Sequence, residues 1–308
     1  MRTILRAGLR ELDRLAPEVD LVSYRGQKVV FKYCFWEPRL IFVWNELNIL
    51  ARLPPHPNIV PLHRVVVEKL QGQEGETVVG YTTRYITGGS LDARGRFTFK
   101  LKWLKQLLNV IDDLNIKFGI RHQDVAPRNL LVHEATDSLM LFDFNVSART
   151  NAPFDVRLKN TNFDEHRNDV KGVIFTLYEI ITRDYHFRQV EPRLQDISSV
   201  QDVDWVKHPS VRLDRPLATY RGVLNEWVQR RTEDRYEETA DRSSHISWPD
   251  LPRPPLGWIE GWKARANNIP VVEWKRPAQN KIKEGMSVFA DGTVARTAQE
   301  LRRRGNRL

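Results

Sequence analysis

The chain has a single cysteine, Cys34, among its 308 residues. It can form no intrachain disulfide, and it cannot build a thiolate cluster for zinc or iron–sulfur. That usage fits a reducing compartment; the cytoplasm is the expected location, with the nucleus as the alternative. Long apolar runs are also missing. The longest, Leu40–Trp44, is five residues, far below the roughly 20 that span a bilayer, so no membrane is expected among the partners. No apolar block follows Met1, and no secretory signal is expected. No segment repeats at a fixed period, which excludes solenoids and propellers.

The composition that is present is that of a folded protein. Hydrophobic residues make up 41% and charged residues 28%, which excludes disorder as the dominant state and leaves room for one large domain or two modest ones. The net charge of +9 points toward nucleic acid until its location is considered. Residues 261–308 hold eleven Lys or Arg against four acids, leaving only +2 on residues 1–260. The basicity belongs to a tail that ends in Arg302, Arg303, Arg304 and Arg307. Contact with nucleic acid is expected through that tail or not at all, and a solvated terminus is the simpler reading.

Along the chain, Leu5, Leu9 and Leu12 fall at helical spacing and predict a short N-terminal helix within residues 1–19. Two strands around Arg25-Gly26-Gln27 follow, then a helix that must stop at Pro54-Pro55. Further strands are predicted at 60–68 and 78–85. Gly88-Gly89 is a break. Beyond it, the apolar stripe of Leu101, Leu104, Leu108 and Ile111 predicts a helix over 99–118. A small strand pair at 130–132 and 139–142 precedes a second helix over 169–182. The stretch 185–216 reads as irregular, and 220–231 as a last helix. The order predicts an α+β chain in two lobes: strand-rich residues 20–87, helical residues 88–247, and a basic extension with Pro and Trp at 248–308. Clefts between lobes are favoured ligand sites.

The densest chemistry lies in His122-Gln123-Asp124-Val125-Ala126-Pro127-Arg128-Asn129, followed by Asp143-Phe144-Asn145. Phosphoryl transfer needs a carboxylate to take the proton of the attacking hydroxyl and two oxygen ligands for Mg²⁺. An Asp, an Asn five residues on and a second Asp supply that set. Lys32 interrupts an apolar strand, and Glu46 lies on the next helix; a lysine held by a glutamate can serve as a fixed phosphate-binding charge.

These residues resemble a divergent eukaryotic protein kinase from about Val29 to Thr182. VVFK is similar to the strand bearing the phosphate-binding lysine, and WNELNILARLPPHPNIVPL to the helix bearing its glutamate partner. YTTRYITGGSLD resembles the hinge, HQDVAPRNLLV the catalytic loop, DFN the metal-binding tripeptide and DVKGVIFTLYEI the central buried helix. The resemblance implies a two-lobed protein kinase-like fold with ATP and Mg²⁺ as cofactors. It makes Asp124 the catalytic base, Asn129 and Asp143 the magnesium ligands, and Lys32 the phosphate-binding residue paired with Glu46. Thr83, Arg84, Tyr85 and Ile86 would hold adenine, with Thr83 as gatekeeper, while His122 and Asp169 brace the loop. Asp169 is read as either a helix cap or a buried anchor.

The departures bear on activity. One glycine, Gly26, stands where a Gly-X-Gly-X-X-Gly loop would fold over phosphates. Asn145 replaces a glycine, a mild change if positive φ is needed there. Gln123 replaces an arginine that would read a phosphate on the activation segment. Only 25 residues separate Asp143 from Asp169, without Ala-Pro-Glu among them, so the peptide-docking ledge is shortened or missing. Three functions are compatible with this pattern: ATP-dependent transfer to a protein hydroxyl, a kinase-fold module that binds a protein partner without chemistry, and a small-molecule kinase. Trp248, Trp258, Trp262 and Trp274 are expected to pack a proline-rich strap onto the helical lobe.

Overall fold

The structure, a computed structural model, describes residues 2–34, 39–69, 74–93, 97–150, 163–232 and 242–250. The chain divides into two compact units, one built on Met1–Glu37 and His63–Tyr85, the other on Pro38–Leu62 and Ile86–Pro252.

The first unit is a six-stranded sheet. Its strands are β1 (Thr3–Leu5), β2 (Arg10–Ala16), β3 (Val19–Tyr24) and β4 (Gln27–Tyr33); after α1 (Leu40–Arg52), which belongs to the second unit, come β5 (Leu62–Glu68) and β6 (Thr77–Arg84). The spatial order is β1-β5-β6-β4-β3-β2, with β1 parallel to β5 and the β2–β3, β3–β4 and β4–β6 pairs antiparallel. Period-two alternation in β4 sends Val29, Phe31 and Tyr33 into a core with Ile4, Val22, Val66 and Val79, and leaves Lys32 half-buried on the opposite face. The β3–β4 turn is as tight as a hairpin allows. Tyr24 pairs with Gln27, and the two residues between, Arg25 and Gly26, have φ of 49° and 83°, the primed turn whose twist matches the strands. Gly80 faces Tyr33 across the β4–β6 ladder, where a Cβ would stand 2.3 Å from the Lys32 carbonyl oxygen; only glycine lets β6 approach there.

The predicted N-terminal helix is corrected by this sheet. Residues 3–5 and 10–16 are strands, and β2 forms one edge. Its pairing with β3 shifts register between Glu11 and Asp13 and again between Arg14 and Ala16. Each shift breaks the alternation that marks a strand, so the leucines fall by accident at helical spacing. Four charged residues on β2, Arg10, Glu11, Asp13 and Arg14, suit an edge that must not recruit another chain.

The second unit is mostly helical. After β7 (Thr98–Phe99) comes α2 (Leu101–Asp112), which ends in a π-helical turn at Asp113–Lys117. Then follow β8 (Ile120–Arg121), β9 (Leu130–His133), β10 (Ser138–Leu141) and β11 (Ala148–Arg149). The last part comprises α3 (Asp169–Thr182), α4 (Ser198–Gln201), β12 (Arg212–Leu213) and α5 (Leu217–Thr232). Short two-stranded pairs join β9 to β10 and β8 to β11 in antiparallel fashion, and β7 to β12 in parallel. Helix α2 packs against α3, α5 and β10; Leu104, Ile111, Val173, Ile174, Leu177 and Trp227 are among the buried residues of these helices. Helix α3 starts where Asn168 Oδ1 accepts the N–H groups of Val170 and Lys171, and stops at Arg183, which adopts φ 59°. Trp248 is buried. The other three tryptophans of the extension, Trp258, Trp262 and Trp274, lie outside the described residues.

Candidate active site

The loop from His122 to Asn129 is suspended between β8 and β9, and β8 is pinned to β11. Behind the loop sits Asp169, 1% exposed at the first turn of α3. Its Oδ2 accepts the backbone N–H of His122 at 2.8 Å and Asn115 Nδ2 at 2.7 Å, and its Oδ1 accepts the N–H of Gln123 at 2.7 Å. Since Asn168 caps the helix, Asp169 is left as the buried anchor of the loop. A further layer supports it: Asn115 Oδ1 accepts from Arg121 and Arg231, and the Asp112 carboxylate accepts Trp227 Nε1. Burial pushes the Asp112 carboxyl above its usual range, while Trp227 and Arg231 pull the other way.

His122 is fully buried and uses both ring nitrogens. Nδ1 accepts the N–H of Asp124, which leaves the proton on Nε2 to be donated to the Phe142 carbonyl at 3.0 Å. Its ring meets Phe144 edge-on, with 4.9 Å between centroids. Gln123 adopts φ 64°. Its side-chain amide donates to Val146 O at 2.7 Å and accepts from the N–H of Asp164 at 2.6 Å, so one neutral group ties both flanks of the segment between them. Nothing in the sequence pattern pointed to this clamp.

The chemical groups gather just beyond. Asp124 is half-buried, and Asn129 Nδ2 donates to both its carbonyl oxygen at 2.8 Å and its Oδ2 at 2.7 Å. Arg128 pairs with Oδ1 of the same carboxylate. Asn129 is 3% exposed, and its amide nitrogen is committed to Asp124. The β9–β10 hairpin then returns the chain: Phe142 N donates to Asn129 O at 3.2 Å, and Asp143 follows with φ 70°. The left-handed conformation thus falls on Asp143 and not on Asn145, so replacing glycine at 145 adds no strain of that kind. An amide oxygen and a carboxylate are a donor set suited to Mg²⁺, which keeps several waters. Among the described residues there is no cluster of three or more His, Cys, Asp or Glu placed to hold a metal, and no helix long and apolar enough to cross a membrane.

A cavity of about 300 Å³ opens beside Asp124, lined also by Arg128, His166, Lys171, Phe175 and Phe187. Burial holds the Lys171 ammonium below its ordinary range, although Asp164 opposes this, and Lys171 Nζ donates to Pro192 O.

The remaining candidates occupy other elements. Lys32 sits on β4 between its register partners Val19 and Tyr81. Thr83 is buried on β6 opposite Val30, Arg84 is exposed at the strand end, and Tyr85 lies half-buried with Lys28 Nζ 6.0 Å from its ring centroid. Ile86 belongs to the second unit, in a cluster with Val60 and Met140. Glu46 is 3% exposed on α1, also in the second unit.

With a strand-rich first part, a helical second part and this loop, the chain has a protein kinase-like α+β fold. Comparison with known proteins gives that class particular relatives. Over 109 residues the chain is 36% identical to CBL-interacting protein kinase 5 of Oryza sativa subsp. japonica, a match covering 34% of this chain and 22% of that protein. It is 34% identical over 111 residues to CBL-interacting protein kinase 12 of the same organism, covering 34% and 19%. With CBL-interacting serine/threonine-protein kinase 20 of Arabidopsis thaliana it is 32% identical over 109 residues, covering 34% and 23%. The chain therefore spans about a fifth of the length of the curated relatives it matches. No family model matches.

Proposed function

We propose that the chain is an ATP-dependent phosphotransferase that moves the γ-phosphoryl group of Mg-ATP to a protein hydroxyl. The observation that carries this reading is the hydrogen-bonded Asp124–Asn129 pair, with Asp143 one residue past the Phe142–Asn129 bond. In this reading Asp124 accepts the proton of the acceptor hydroxyl as its oxygen forms a bond to the γ-phosphorus, and the bond from that phosphorus to the bridging oxygen breaks to release ADP. Asn129 and Asp143 hold Mg²⁺, which neutralises phosphate charge when bound. Lys32, Glu46 and Thr83 to Ile86 keep the nucleotide-binding roles that the resemblance assigns them. The cavity beside Asp124 receives the acceptor side chain.

A second reading, a binding module without turnover, is favoured by the β3–β4 turn. The β2–β3 turn likewise spans only Pro17 and Glu18, and turns of two residues before Lys32 leave no backbone to arch over phosphates. Losing several such bonds, each worth about 1 kcal/mol or more, weakens nucleotide binding by one or two decades. A thermal-shift titration separates the readings. Millimolar ATP with Mg²⁺ should raise the melting temperature, and EDTA should remove the effect. Asp124→Asn should keep that shift but lose roughly 10²- to 10⁴-fold in turnover. No response to millimolar Mg-ATP would select the binding module.

A further inference from the structure

The backbone that follows Asp143 is held at four successive carbonyls by two side-chain amides. Asn45 Nδ2, on α1, donates to Ser147 O at 2.7 Å and lies 3.2 Å from Asn145 O and 3.4 Å from Phe144 O. The intervening carbonyl, that of Val146, accepts Gln123 Nε2. An asparagine amide presents either its nitrogen or its oxygen according to how its ends are partnered. Here the choice is made from the far side of the sequence: Trp248 Nε1 donates to Asn45 Oδ1 at 2.9 Å, with both residues buried. Turning the amide over would set its NH₂ against the indole N–H and remove the donor from Ser147 O.

Trp248 is itself fastened on several sides. Its carbonyl accepts Arg149 Nη1 at 3.2 Å, and the Arg149 guanidinium lies 5.5 Å from its ring centroid. Arg149 also pairs with Asp250 at 2.9 Å. Trp44 Nε1 donates to Pro249 O at 3.1 Å, and Ile246 N donates to Phe118 O at 2.9 Å. The stretch 245–250 thus bonds to the turn after α2, to β11 and to α1.

We propose that residues 245–250 form an intramolecular latch, in which Trp248 orients Asn45 so that Asn45, together with Gln123, positions the segment carrying Asp143. Asn45 and Trp248 are positioning residues; neither touches the reacting groups. The role assigned to Asp143 rests on the function proposed above, whereas the latch itself rests on geometry alone. A segment restrained at each carbonyl from 144 to 147 presents one conformation, which places the φ 70° carboxylate of Asp143 without any modification of the chain.

The test uses the full chain and two readouts. Trp248→Phe keeps a buried ring but removes the indole N–H. Hydrogen–deuterium exchange of nucleotide-free protein should accelerate roughly tenfold in peptides covering 143–149, as expected for loss of one buried hydrogen bond, with α5 unchanged. Trp44→Phe removes only the outer bond to Pro249 and should accelerate the same peptides by less, which keeps the test usable if Trp248→Phe does not fold. In turnover assays of Trp248→Phe, the Mg²⁺ concentration for half-maximal rate should rise severalfold. Unchanged exchange at 143–149, or equal acceleration in α5, overturns the latch. Local acceleration with no Mg-ATP response in the wild type supports the latch and overturns the phosphotransfer reading instead.

Discussion

Replacing Asp169 by alanine exposes how much of the loop from His122 to Asn129 depends on one buried carboxylate. Its two oxygens accept three hydrogen bonds, from His122 N, Gln123 N and Asn115 Nδ2, at 2.7 to 2.8 Å. His122, Gln123 and Asn115 are all buried, so water cannot take over without opening the loop. A buried donor left without a partner costs about 1–3 kcal/mol. Taking the low end for each, because neighbouring effects overlap, the loss is about 3 kcal/mol, a large share of the 5–15 kcal/mol typical of a folded protein. For a domain of this size that corresponds to a melting temperature lower by roughly 6–12 °C. Urea unfolding followed by circular dichroism, with the thermal melt alongside, measures both. A variant within 1 °C of the wild type would refute the reasoning, since it would mean that the three donors find other partners at no cost.

Two further outcomes follow from the same geometry. Thr150 Oγ1 is buried, and the Gln123 amide is committed at both ends to Val146 and Asp164, so Thr150→Ala combined with Thr161→Ala, the latter outside the described residues, should change phosphotransfer less than about twofold; a collapse of activity would show that a phosphate is read there. Burial alone would raise the Asp214 carboxyl, but hydrogen bonds from Tyr220 Oη at 2.5 Å and Leu101 N at 2.8 Å hold it below its ordinary value. Its contribution to stability is therefore full above about pH 4 and is lost as pH falls through the lowered value, so Asp214→Asn should flatten the acid limb of urea stability against pH.

Long elements with clear periodicity were legible from sequence. The 169–182 helix has the expected ends because its start and stop have local causes, the Asn168 side chain and the left-handed Arg183. The β3–β4 hairpin was legible from Gly26 and the β-branched run beside it. The N-terminal strands were not, because two register shifts in β2 erase the alternation that identifies a strand. The motif spacing singled out Asp124, Asn129 and Asp143 as candidates, while the partners that hold them were out of reach. Asn45 and Trp248 are 203 residues apart in sequence, and neither has a local signature: an asparagine inside a helix reads as a weak helix former, and a tryptophan among prolines reads as packing.

The place of Gln123 is best understood by comparing what an amide and a cation can each accept and donate. A guanidinium or ammonium offers donors only. At this position it could reach the Val146 carbonyl, but it would leave the N–H of Asp164 without the acceptor that Gln123 Oε1 supplies at 2.6 Å. An uncharged amide has one end of each kind and so closes both contacts by itself, with φ 64° at its own backbone as the local cost. The same holds for Asn45, whose oxygen and nitrogen are both spoken for by groups of the same chain. Two neutral amides, in a loop and on a helix, thereby hold this segment with contacts that form on folding.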